Sequence, residues 1–81
     1  MNKVENQLKE EIEKWTKRAK EKRSKIKVID ESKNGMLKNI DAYIKDSKYF
    51  LEKNDLVRSF EAIIWSWAWL EILEALEIIE S

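Results

Sequence analysis

Apolar residues recur along the chain at helical spacing in three separate runs. In the first, Val4, Leu8, Ile12, Trp15, Ala19 and Ile26 advance in steps of four, four, three, four and seven. Such steps keep all six on one face of an α-helix. Lys22 and Arg23 interrupt the stripe, and their aliphatic stems can cover the gap while the charges stay in water. Glu10 with Lys14, Glu13 with Lys17 and Glu21 with Lys25 stand four apart in the favourable order, each pair adding about 0.2–0.5 kcal/mol. The pattern predicts a first helix over about 3–27.

The run Val28-Ile-Asp-Glu-Ser-Lys-Asn-Gly35 breaks the period. Asp30, Ser32 and Asn34 are candidate helix caps, and Asn34-Gly35 is a turn signal. Val28 and Ile29 are expected to tuck under the loop as an apolar plug. The period resumes with Leu37, Ile40, Ile44, Ser47 and Leu51 on one stripe and Tyr43 and Phe50 on its flank, which predicts a second helix over about 34–53. Lys53-Asn54-Asp55 then closes it, since Asn tolerates the left-handed conformation that ends helices. Asp55 suits the N-cap of a third helix. So short a link folds the second and third helices into an antiparallel hairpin.

The third run, predicted helical over about 55–79, is apolar on two sides. Leu56, Phe60, Ile63, Trp67 and Leu70 form one stripe; Ala62, Trp65, Trp69, Ile72, Leu73 and Leu76 form another, on roughly the opposite side. A helix apolar on both sides must be covered on both. The first stripe gives way to Glu71 and Glu74, so its neighbour is expected to be short: the second helix. The other stripe needs the first helix, a second chain, or both. The fold class is therefore all-α, a three-helix bundle in a single domain spanning 1–81.

Composition adds limits. Pro and Cys are absent and Gly occurs once, so helix formers dominate and no disulfide framework exists. His is also absent, which removes the commonest general base and the commonest transition-metal ligand. Asp41, Asp46, Asp55 and Glu61 are the carboxylates to weigh, the last three for an enzyme or hard-cation site, but no metal-binding or catalytic motif frames them, and a helix cap plus surface charge accounts for them. The expectation is a protein that is not an enzyme and holds no cofactor or metal. The N-terminus lacks an apolar leader and the apolar stretch over 62–70 is too short to span a bilayer. A cytoplasmic location with no membrane partner is expected.

Sixteen basic residues balance sixteen acidic ones, but not evenly along the chain. Lys14, Lys17, Arg18, Lys20, Lys22, Arg23, Lys25 and Lys27 crowd the end of the first helix with only Glu21 among them, while Glu61, Glu71, Glu74, Glu77 and Glu80 occupy the third with no base after Arg58. In an up-down-up bundle these two ends lie together and compensate each other. The competing reading is a phosphate-binding strip of Lys17, Arg18, Lys20, Arg23 and Lys27, although it lacks interleaved exposed aromatics.

The stretch from Tyr43 to Glu71 also carries a resemblance. Asp46, Phe50, Asp55, Phe60, Glu61 and Ala62, with the aromatic run Trp65-Ser-Trp67-Ala-Trp69 behind them, are similar to the signature of a family of short archaeal proteins, domain-of-unknown-function family 357. Ser59 stands where that signature usually has Ala, and Asn54 where it has Gly. The resemblance covers roughly the last half of the chain. It implies a compact helical bundle of archaeal, cytosolic origin and no activity. The hairpin is faintly similar to one tetratricopeptide unit too, which reflects shared hairpin physics, since one copy cannot build a solenoid.

Two functions follow as expectations. The leading one is a small protein-interaction module, a homodimer being one form of it, using the Trp65, Trp69, Ile72 and Leu76 side of the third helix. The alternative is a nucleic-acid-binding module using the basic first helix.

Overall fold

The computed structural model describes residues 3–29, 32 and 35–80. Three helices, α1 (Lys3–Ser24), α2 (Gly35–Glu52) and α3 (Leu56–Ala75), form an all-α bundle, with two short strands, β1 (Lys27–Val28) and β2 (Ile79–Glu80), at one end. Helix α3 is the central element. It packs on both α1 and α2, while those two touch each other far less. The molecule is a rod of 45 × 17 × 17 Å.

Helices α2 and α3 form the antiparallel hairpin, and its turn is built as the sequence suggests. Asn54 takes φ 59°. Its N–H donates to the Leu51 carbonyl at 3.0 Å, and that of Asp55 to the Phe50 carbonyl at 2.8 Å, a Schellman closure that satisfies the carbonyls at the end of α2. Asp55 then caps α3, its side chain accepting the Arg58 N–H at 3.2 Å. Of the other cap candidates, Asp30 and Asn34 lie outside the described residues, and Ser32 precedes α2, which begins at Gly35.

Helices α1 and α3 stop three or four residues short of the expected 27 and 79. At Ser24 the hydroxyl donates to the Glu21 carbonyl at 2.7 Å, and Lys25 and Ile26 bond back to Lys22 and Arg23, tightening the last turn so that the helix ends. Glu77 ends α3 with φ 59° and a second Schellman closure, Glu77 N–H to the Glu74 carbonyl and Ile78 N–H to the Leu73 carbonyl. The freed segments pair antiparallel, Lys27 opposite Glu80 and Val28 opposite Ile79. β-branched residues with polar neighbours favour this pairing over another helical turn. Ile79 is fully buried, and Ile26 and Val28 pack on the core. Ile29 does not join them as a plug. It is 56 % exposed, because alternation in the extended segment turns it outward.

The main core lies toward the ribbon end, built from Ala19 of α1, Leu37 and Ile40 of α2, Ile63, Leu70 and Leu73 of α3, and Ile79. The seam of α3 that is most deeply buried takes Leu56, Ile63 and Leu70 from the first stripe, Ala62 and Leu73 from the second, and Ser59 and Ser66 from between them. The outer edges of the stripes therefore find the opposite neighbours to those expected. Trp67 meets Trp15 of α1, and Ala62 shares a cleft with Tyr43, Asp46 and Phe50 of α2. Small residues explain the exchange: Ser47 and Ser59 are fully buried and bonded to each other, so the hairpin closes along the serines, and the large ring of Trp67 falls to α1. No helix among the described residues is long and apolar enough to cross a membrane.

Candidate functional site

Because α3 uses its inner side for both neighbours, the outer part of its second stripe stays uncovered. Trp65 is 54 % exposed, Ile72 41 % and Leu76 63 %. Steps of seven and four place the three on one line. Trp69, the fourth residue of the expected interface, is only partly exposed and packs against the core. It forms the buried edge of the ridge that the other three raise. Trp65 also stands at the mouth of a shallow cleft between α2 and α3, lined by Tyr43, Asp46, Phe50, Arg58, Glu61 and Ala62. Asp46 and Glu61 thus meet at one cleft, while Asp55 is occupied as a cap and by an ion pair with Arg58 at 3.6 Å. Among the described residues no group of three or more acidic, His or Cys side chains is placed to hold a metal.

The basic strip of α1 divides. Arg18 lies 4.8 Å above the Trp15 ring and Lys22 5.4 Å from the Trp67 ring. Lys22 also pairs with Glu74 at 3.1 Å, the internal compensation between α1 and α3 that parallel ends allow. Arg23 grips Asp41 of α2 in a fork, Nε to Oδ1 at 2.8 Å and Nη2 to Oδ2 at 3.1 Å. Of the five candidates for phosphate binding, Arg18 and Arg23 are therefore engaged inside the molecule, and Lys17, Lys20 and Lys27 remain exposed. Lys14 takes Glu11 at 3.0 Å rather than Glu10. Glu11 also accepts Trp15 Nε1–H at 3.1 Å. Hydrogen bonding to Lys14 first, its charge next and the indole bond after them hold the Glu11 carboxyl below the usual carboxylate range.

A second surface escaped the sequence patterns. Between α1 and α2 runs a trough with a floor of Thr16, Ile44, Ser47 and Leu51 and a rim of Lys20, Lys45 and Lys48, continuing past Arg23, Ser24 and Asp41 toward the ribbon end. Its deeper part holds about 310 Å³. Its signal in the sequence is faint: Thr16 and Lys20 replace apolar residues on the side of α1 that would otherwise close against α2.

Together these features define a small all-α protein, a three-helix rod pinned at one end by a ribbon. The family model described as "Protein of unknown function (DUF357)" matches residues 3–79, and the chain belongs to that family. The match takes in α1 as well as the hairpin, so the basic helix is part of the family's fold. The crystal structure of protein AF1782 from Archaeoglobus fulgidus, itself described by the same family model, is 44 % identical in sequence with a TM-score of 0.86, covering 96 % of this chain and 97 % of that one. No curated protein matches.

Proposed function

We propose that this chain is a protein-interaction module without catalytic activity, that it works in the cytoplasm, and that the ridge of Trp65, Ile72 and Leu76 is its docking element, with a second copy of the chain as partner. The observation that carries the reading is the exposure of these three large apolar side chains on one line of the central helix. Isolated exposed apolar residues are ordinary, but a contiguous line anchored by Trp is the composition of interface cores. The nucleic-acid reading draws less support, because Arg18 and Arg23 would have to leave Trp15 and Asp41 to reach a phosphate. The absence of His and Cys supports a non-catalytic role.

Light scattering across micromolar concentrations tests the reading. The protein is expected to exceed its monomer mass and to return to it in Trp65→Glu. A strict monomer at every concentration would remove it.

A further inference from the structure

We infer that the ridge of one copy docks in the α1–α2 trough of the next, so that the chain self-associates head to tail. The inference rests on the proposed self-association and names its second surface.

The trough is an unfinished seam. Helices α1 and α2 both lie on the inner side of α3 and make little contact with each other, which leaves room for a fourth helix that would complete a four-helix bundle. Along α2 it extends from Asp41 to Leu51, about 15 Å at about 1.5 Å per residue. The ridge from Trp65 to Leu76 is nearly the same length, about 16 Å.

Charge selects the occupant. Lys20, Lys45 and Lys48 are exposed on the rim, and none of them has an ion-pair partner among the described residues. Asp41 is the carboxylate that lines the trough, and Arg23 already holds it. The occupant should therefore be apolar along one line and acidic beside it. The outer side of α3 fits: exposed Glu61 and Glu71 flank the apolar line, Glu77 follows it, and no base occurs after Arg58. A chain of zero net charge with its signs segregated on two surfaces is complementary to itself. No residue lines both surfaces: the ridge belongs to the exposed side of α3 and its end, and the trough is lined by α1 and α2 alone. The contact is heterologous and each added copy offers another open ridge or trough.

Two variants test this, both at exposed positions: a ridge variant, Trp65→Glu, with Trp65→Ser as a milder form, and a trough variant, Lys45→Glu with Lys48→Glu. The unmodified protein should grow past dimer with concentration and lose mass as salt screens the rim. Each variant alone should associate at least about tenfold more weakly. Mixed, they should form a one-to-one dimer and stop there, because the ridge variant keeps its trough and the trough variant keeps its ridge. That rescue also shows that both variants fold. If the trough variant still forms a dimer alone and ignores the ridge variant, the ridge pairs with itself; self-association then stands and the head-to-tail contact is overturned. If the unmodified protein is monomeric throughout, both readings fall. Binding of a labelled single-stranded RNA by that monomer, lost in the Lys45→Glu/Lys48→Glu variant, would assign the trough to nucleic acid instead.

Discussion

Ser47 of α2 and Ser59 of α3 hold each other reciprocally. The Ser47 hydroxyl donates to the Ser59 carbonyl at 2.8 Å, the Ser59 hydroxyl donates to the Ser47 carbonyl at 2.7 Å, and the two oxygens stand 3.1 Å apart. Both side chains are fully buried, in a place where each hydroxyl satisfies itself on the opposite helix and neither adds bulk between the axes. Replacing either serine by Ala should cost about 1 kcal/mol. The double replacement should cost less than the sum of the singles, since each deletion already loosens the contact the other uses. Leu at either position should cost about 1–3 kcal/mol by forcing the helices apart. Urea unfolding of the cycle checks this; strictly additive singles would show that the pair does not act as a unit.

The two left-handed residues lead to opposite expectations. Asn54 and Glu77 share φ 59° and the same Schellman bonding. Asn adopts that conformation at small cost, whereas Glu carries the full steric penalty of its Cβ. A carboxylate there also opposes the negative end of the α3 dipole. Glu77→Gly should therefore stabilise the fold by about 0.5–1 kcal/mol, and Asn54→Gly should be nearly neutral. Thermal denaturation of both variants decides: a destabilised Glu77→Gly would mean that the Glu77 side chain contributes something the backbone cost conceals.

These same positions show how far the sequence could be read. The three helices, the hairpin and the Asp55 cap follow from period and capping chemistry, which act over a few neighbouring residues. The ribbon was hidden because Ile26 and Ile79 also fit the tail of a helical run and Val28 stands in the stretch where the period breaks; only pairing across the fold decides that the two segments are extended. The partners of the two α3 stripes were likewise beyond local pattern. Ser47, Ser59 and Ser66 are polar in sequence, yet all three are buried, Ser47 and Ser59 against each other, and that fixed which stripe met which helix. The Trp65, Ile72 and Leu76 ridge could be named from periodicity, but the trough could not, because it exists through what α1 and α2 fail to fill.

Trp15 and Trp67 join α1 to α3 edge to face, with ring centroids 5.4 Å apart and planes at 61°. The contact is worth about 0.5–1.5 kcal/mol beyond the area it buries, and Arg18 and Lys22 above the rings add cation–π attraction. Trp67→Ala should destabilise by about 2–4 kcal/mol, toward the lower end because the ring is partly exposed. Trp15→Phe should cost less, since it loses the indole bond to Glu11 but keeps an aromatic edge. Equilibrium unfolding followed by circular dichroism separates the two. Equal losses would place the value of Trp15 in its N–H rather than in its ring.

The Glu11 carboxylate gives α1 a pH dependence whose sign is fixed by its partners. Lys14 and the Trp15 N–H both favour the ionised form, so the folded group releases its proton at lower pH than the same group in the unfolded chain. Above the unfolded value the carboxylate is charged in both states and its contribution is fully present; as pH falls through the folded value, Glu11 takes up a proton and that contribution is lost. Because the group lies at the surface, the effect on overall stability is small, and the observable is local. A side-chain carboxyl titration by NMR should place the Glu11 midpoint below the ordinary carboxylate range, and Trp15 emission should change over the same interval. Lys14→Ala removes the largest cause and should carry the midpoint back upward, while Trp15→Phe should move it less. A midpoint at the ordinary value in the unmodified protein, unmoved by Lys14→Ala, would mean that the Lys14–Glu11–Trp15 contacts do not persist in solution.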